Sequence, residues 1–95
     1  MKPEIKSGIA AISLNGRDKG RVFVVLCELD ADFVLVANGG LRPLSHPKKK
    51  RKKHLRAIGH EMPGLKASYD DQTVTDHDIR MFLKPLQDPY HQNPA

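Results

Sequence analysis

The sequence predicts a small, mostly β domain of barrel or sandwich type that ends in one short α-helix. A chain of 95 residues buries only about 60–65% of its unfolded surface, which is enough for a single small core. There are no Trp, three Phe and two Tyr residues, so this core must consist mainly of Val, Ile and Leu. Such side chains suit a packed β domain better than an aromatic-lined substrate cavity.

Three apolar segments separated by turn residues predict a β-meander. Residues 8–14, GIAAISL, are uncharged and are followed by an Asn-Gly turn. Residues 21–29, RVFVVLCEL, are apolar on both faces, so this strand needs a covering layer on each side. Residues 33–37, FVLVA, precede Asn-Gly-Gly and form the third predicted strand.

Two shorter strands are expected after the meander. Residues 41–44 can form a fourth strand, at an edge of the sheet because Pro43 lacks an N–H group. Residues 54–58, HLRAI, alternate polar and apolar side chains and can form a fifth strand that returns along the meander. Residues 62–73 contain Pro, Gly and two consecutive Asp residues, which predict a loop.

One helix of about ten residues is predicted near the C-terminus. Thr75 fits its N-cap, and the aspartates that follow suit the positively polarised first turn. The helix should end before Pro85, because the residue preceding a proline is pushed out of α geometry. Residues 86–95 are expected to form a flexible tail. The helix carries an apolar stripe with which it must dock on the sheet, formed by Ile79, Phe82 and Leu83.

The net charge of +5 is concentrated in one segment. Residues 42–56 carry eight basic and no acidic side chains, whereas residues 1–41 have no net charge and residues 57–95 have a net charge of −3. A concentrated cationic segment creates a local positive potential that attracts polyanions.

Candidate catalytic and metal-binding residues form no motif. Cys27 is the only cysteine, which indicates a reducing compartment, and its apolar surroundings favour a core thiol over a nucleophile. The five histidines lack metal-ligand spacing. Asp70 and Asp71 could pair as carboxylates with Asp76 and Asp78, but the latter two are explained as helix-start charges. We expect no enzyme activity, metal or cofactor, no small-molecule substrate and no membrane segment.

A basic loop with two glycines, GRDKGR at residues 16–21, separates the first two predicted strands. With Gly8, the apolar residues 9–14 and the strand at 22–25, this unit resembles the KOW motif of ribosomal and transcription-elongation proteins. The continuation DFVLVANGGLRPLSHPKKKRKKHL is similar to bacterial KOW-domain RNA-binding proteins related to large-subunit ribosomal proteins of archaeal and eukaryotic type.

The likeness covers about residues 5–60. It implies an SH3-like barrel over residues 1–60 that includes the basic segment 42–56. Residues 61–85 would then be a loop and helix packed on the barrel, with 86–95 as the tail. It also implies a cytoplasmic, bacterial protein that binds RNA, with ribosomal RNA or the ribosome as partner, and a link to translation.

The residues expected to contact RNA lie in the basic loop and the basic segment. Cations and backbone N–H groups on a rigid scaffold can hold phosphates, and a dense lysine run adds sequence-independent affinity through counterion release. The resemblance implies this role for Arg17, Lys19, Arg21, Arg42, Lys48, Lys49, Lys50, Arg51, Lys52 and Lys53. The backbone of Gly20 and the side chains of His54 and Arg56 complete the predicted site.

Other interpretations of these segments remain open. The glycine loop can be a hairpin connection whose charges only keep it solvated, and the lysine run can be a solvated loop. PKKKRKK, at residues 47–53, also matches a nuclear-import signal. The alternative function is therefore a protein-interaction module whose lysine run is such a signal or contacts an acidic partner.

Overall fold

A five-stranded antiparallel sheet with two helices forms the fold, as described for residues 4–91 by a computed structural model. The sheet order is β4-β3-β2-β1-β5. The prediction of a mostly β domain is confirmed. The strands are β1 (Ile9–Ser13), β2 (Val22–Glu28), β3 (Phe33–Ala37), β4 (Lys48–Arg51) and β5 (Leu55–Glu61), and the helices are α1 (Leu65–Asp70) and α2 (Asp76–His91).

The central strand β2 separates two apolar clusters, as its sequence predicts. Residues 22–26 are all buried. The first cluster lies between the sheet and the helices and includes Val22, Val24, Leu26, Leu65, Ile79 and Leu83. The second lies on the opposite face and consists of Ala11, Phe23, Val25, Val34, Val36 and Leu55, with the partly buried Ile5 against it.

The second cluster is buried because the sheet curls over it. No helical side chain among residues 4–88 belongs to this cluster, yet Phe23 is 0% exposed. A side-chain bond spans the curl: Lys50 Nζ on β4 donates to Ser13 Oγ on β1 at 2.6 Å, although two strands separate β4 from β1 in the sheet. The sheet is not closed, since no backbone pairing joins β4 to β5 in the described chain.

The fifth strand is confirmed and the fourth is misplaced. β5 pairs antiparallel with β1, as a strand returning along the meander should. Residues 41–44 do not form a strand. The fourth strand, at an edge of the sheet, is β4, which consists of four residues of the lysine run. Residues 41–44 follow a turn in which Asn38 Oδ1 accepts the backbone N–H groups of Gly40 and Arg42, and Leu44 N–H donates to Asp76 Oδ1 at 2.8 Å.

Residues 62–73 are a loop only in part, because α1 forms in their middle. Gly64, just before α1, has a left-handed backbone with φ +71°, which glycine adopts without a Cβ clash. The next residue, Leu65, is 1% exposed and belongs to the first cluster. The helix is short and forms because it buries this leucine, a tertiary contact that the local sequence does not reveal.

The start of α2 matches the prediction and its end does not. Thr75 Oγ1 accepts the N–H of Asp78, and Asp78 Oδ2 accepts the N–H of Thr75, which is a reciprocal N-cap. The helix continues through Pro85 to His91, so the tail predicted from residue 86 is wrong for residues 86–91; residues 92–95 lie outside the described part. Leu86 packs against the first cluster, and this burial offsets the helix bond that proline removes.

Gln87 joins the continued helix to the first residues of β2. Its Oε1 accepts the Val22 N–H at 2.7 Å, and its Nε2 donates to Gly20 O at 3.2 Å. We expect Gln87→Ala to lower the free energy of unfolding by about 1–3 kcal/mol, because the buried Val22 N–H loses its partner. Urea unfolding followed by circular dichroism measures this. Gln87→Leu also removes the acceptor but keeps most of the side-chain volume, so it should lose nearly as much as Gln87→Ala; a much smaller loss in Gln87→Leu would contradict the assigned role of Oε1.

Candidate nucleic-acid interface

A single surface depression brings the β1–β2 loop next to β4. Its volume is about 420 Å³. We call it the basic depression; it is lined by Asn15, Gly16, Arg17, Phe33, Lys48, Lys49, Lys50, Arg51 and His54. Two segments that are about 30 residues apart in the sequence, and that were both predicted to contact RNA, therefore share one surface.

The loop is held rigidly by its own backbone. Residues Gly16–Asp18 form a 3₁₀ turn, and the Arg21 N–H donates to Asp18 O at 2.8 Å. The Gly20 N–H donates to Ser13 O at 2.9 Å. The predicted use of Gly20 as a phosphate donor therefore does not fit, because its N–H is already engaged within the hairpin.

Asp18 fixes this loop to β4. Its carboxylate accepts a hydrogen bond from Lys48 Nζ and lies 3.8 Å from Lys50 Nζ and 3.9 Å from Arg21 Nε. The Lys48 hydrogen bond, together with the charges of Lys48, Lys50 and Arg21, lowers the Asp18 pKa, although burial opposes this shift. The site predicted from the sequence does not include Asp18. The only feature of the sequence that could have identified this residue is that it is the one acidic residue in GRDKGR.

Lys50 points into the curl of the sheet. It is only 9% exposed, and its ammonium donates to Ser13 Oγ. Burial lowers the Lys50 pKa, against the opposing effect of the Asp18 charge. Lys50 therefore holds the loop to β4 and is not available as a surface contact, which corrects its predicted role.

Lys49 and Arg51 point to the other face of β4, because side chains alternate along a strand. Their backbones pair with Leu35 and Phe33. The Lys49 ammonium lies 4.4 Å and the Arg51 guanidinium carbon 4.7 Å from the Phe33 ring centroid, within cation–π range. Both side chains belong to exposed residues, so they can reach a ligand.

The remainder of the basic run continues as a 3₁₀ turn, Lys52–His54. Lys52 Nζ bonds to Glu28 Oε2 at 2.8 Å, so an acidic side chain partly neutralises it. Lys53 is exposed, and His54 lines the basic depression.

The other predicted contacts lie outside the depression. Arg21 lines a separate cavity against α2, with Arg80 and Lys84. The Arg42 backbone belongs to the turn after β3. The depression thus gathers six of the predicted residues, Arg17, Lys48, Lys49, Lys50, Arg51 and His54. It does not include Lys19, Gly20, Arg21, Arg42, Lys52, Lys53 or Arg56.

The described residues give no support for a reactive thiol, a metal site or a membrane-spanning helix. Burial raises the pKa of the partly buried Cys27 thiol, so it has little thiolate character. Among the side chains that the structure describes, in residues 4–88, no three of His, Cys, Asp or Glu are grouped so as to hold a metal ion. No helix within residues 4–91 is both long and apolar enough to cross a bilayer.

Comparison with protein-family models and with curated proteins gives no relative for this chain. No protein-family model matches it, and no curated protein is significantly similar to it.

Proposed function

We propose that this protein is a non-catalytic RNA-binding protein that contacts the phosphates of structured RNA, with ribosomal RNA as the expected partner. The observation that carries the proposal is the basic depression, whose lining includes Arg17 of the β1–β2 loop together with Lys49 and Arg51 of β4. A link to the ribosome or translation in a bacterial cytoplasm follows from the resemblance to KOW-domain proteins.

The charge of this surface supports the proposal. Five of the nine residues that line the depression are Lys or Arg, and none of the nine is acidic. The Asp18 carboxylate lies beside the depression and partly neutralises this charge, because it forms ion pairs with Lys48 and Lys50. Arg17, Lys49 and Arg51 have no such ion pair within the described chain, so their charges are available to polyanions.

The strand arrangement also supports the finer assignment to an SH3-like barrel of the KOW type. The first three strands form the meander, and β5 returns to pair with β1. The curl over the second cluster brings β4 towards β1. The β1–β2 loop and the basic segment after β3 are the two places where the resemblance implies RNA contacts.

Burial of Lys50 argues against the nuclear-import alternative. An import signal needs its lysines accessible to a receptor, whereas here Lys50 is buried and Lys48 is bound to Asp18. Contact with an acidic protein is the remaining alternative. If a polyglutamate peptide with the same total charge displaced structured RNA from the protein, that result would support contact with an acidic protein instead.

The test is the salt dependence of RNA binding by Lys49→Gln/Arg51→Gln. We expect roughly tenfold weaker binding to a structured ribosomal RNA fragment, for two phosphate contacts of about 0.7 kcal/mol each. The slope of log K against log salt should fall by about 1.5–2, since each lost phosphate contact removes almost one unit. Fluorescence anisotropy at several salt concentrations measures both quantities.

The matched control is Lys66→Gln/Lys84→Gln. It removes the same net charge from exposed positions on α1 and α2 that do not line the depression. Its slope should change much less. Equal effects in the two double variants would mean that only net charge matters, and an unchanged slope in the first would reject the proposed interface. If the slope falls only in the first double variant, co-sedimentation with ribosomal subunits tests whether the bound RNA is ribosomal.

A further inference from the structure

Phe33 is the aromatic ring of the basic depression, and it has no place in the core. It is partly exposed and belongs to neither apolar cluster. By contrast, Phe23 is fully buried, and Phe82 and Tyr69 pack against the first cluster. Burial in the core thus accounts for these other rings and not for Phe33.

We infer that Phe33 stacks on one unpaired nucleobase, so that the preferred ligand is RNA with a loop or bulge and not an uninterrupted duplex. This inference rests on the proposed function and specifies its substrate. An aromatic ring is a general stacking surface for unpaired bases, whereas the bases of a duplex are already stacked on one another.

The groups around the ring suit a nucleotide. The Lys49 ammonium and the Arg51 guanidinium lie over the Phe33 ring, and both side chains belong to exposed residues. A base that stacks on the ring would displace one of these side chains, and the displaced cation would remain close to the neighbouring phosphates. Asn15 and His54 also line the depression. The Asn15 side chain does not cap the adjacent 3₁₀ turn, so its amide can donate to and accept from a base edge.

The size of the depression is also compatible with a base. Its volume of about 420 Å³ falls in the range of roughly 300–1,000 Å³ for sites that take small organic ligands. Lys48 and Lys50 are held by Asp18 and Ser13, whereas Lys49 and Arg51 are exposed. Entry of a base therefore requires movement of the Lys49 or Arg51 side chain and not of the strand.

The experiment compares three RNAs with equal numbers of phosphates: a hairpin with an unpaired purine loop, the same hairpin with abasic sites in the loop, and a blunt duplex. We expect the protein to bind the first roughly 5- to 100-fold more tightly than the second. Phe33→Leu should abolish this preference and leave the duplex affinity and the salt slope almost unchanged. Phe33→Trp should keep the preference.

The alternative role of Phe33 is to hold Lys49 and Arg51 in place. In that case Phe33→Leu would weaken hairpin and duplex equally, which would overturn the inference and leave the proposed function standing. Equal wild-type affinity for the intact and abasic hairpins would overturn it too. If none of the three RNAs binds with salt-dependent affinity, the proposed function itself fails. Circular dichroism melting of each variant confirms folding, which we expect because Phe33 lies outside both clusters.

Discussion

Gly39→Ala is expected to lower the free energy of unfolding by about 2–5 kcal/mol. Gly39 has a φ of +77°, and a residue with a Cβ pays roughly 1–2 kcal/mol for a left-handed backbone. A Cβ at this position would lie 2.5 Å from Asp76 O and 2.9 Å from Arg80 Cγ, and overpacking of this kind adds about 1–3 kcal/mol. Domains of this size have only about 5–15 kcal/mol of stability.

The clash is costly because both sides of the contact are fixed. Asp76 is the first residue of α2, and its side chain accepts the Leu44 N–H. Arg80 donates from its guanidinium to Gly39 O at 2.6 Å. The end of β3 and the first turns of α2 therefore cannot separate without loss of these bonds.

Two alanine controls separate strain from clash. Gly16 has a similar φ of +75° with nothing within 4 Å of an added Cβ, so Gly16→Ala should cost only the backbone strain. At Gly40 the nearest atom to an added Cβ is Asn38 Oδ1, at 3.8 Å, and Gly40→Ala should be almost neutral. Urea unfolding of all three variants measures the differences. Equal losses at positions 39 and 16 would show that α2 is not packed against Gly39.

Asp18→Asn is expected to destabilise the protein by about 2–3 kcal/mol and, at the same time, to strengthen RNA binding. Removing one partner of a fully buried ion pair costs about 3–5 kcal/mol. The effect should be smaller here, because the Asp18 and Lys48 side chains are 15% and 33% exposed. Binding improves because one negative charge beside the basic depression is removed, and because the partly exposed Lys48 is released from its ion pair. Urea unfolding and anisotropy titration measure the two opposite changes.

The pH dependence of stability gives an independent measure of Asp18. Because its pKa lies below the ordinary value of 3.8 in the folded state, its contribution is complete above that value and is lost as the pH falls through the lowered one. Hydrogen bonds from backbone N–H groups also lower the pKa values of Asp30 and Asp78, so the wild type loses stability in acid from several carboxylates. The curve of Asp18→Asn should be flatter in that range.

Asp70→Asn is the matched control for Asp18→Asn. It removes the same charge from a surface pair with Lys66, in which the two side chains are 60% and 75% exposed. Exposed helix pairs contribute only about 0.3–0.5 kcal/mol. A loss at position 18 no larger than that at position 70 would contradict the role of Asp18 in holding the loop to β4.

The parts of the fold that could be predicted are those with local signals. β1, β2 and β3 follow from apolar runs bounded by turn residues, and the start of α2 from Thr75 and Asp78. β4 could not be predicted, because an all-cationic strand is stabilised by Asp18, 30 residues away. The end of α2 was missed for a similar reason, since Gln87 bonds to Val22 across 65 residues.

The candidate site was predictable in composition but not in geometry. The charge run identified Lys48, Lys49, Lys50 and Arg51 as a group, but only their placement in a strand separates the two that point inward from the two that point outward. Phe33 was missed because FVLVA resembles any buried strand, and its exposure depends on its position beside the edge strand.

The position of β4 at one of the two open edges of the sheet also bears on solubility. An unpaired strand edge is a template on which another chain can add its own strand. Every side chain of β4 is cationic, and those of Lys49 and Arg51 belong to exposed residues, so two copies of this edge repel each other. A bound polyanion that screens these charges would also weaken that protection against aggregation.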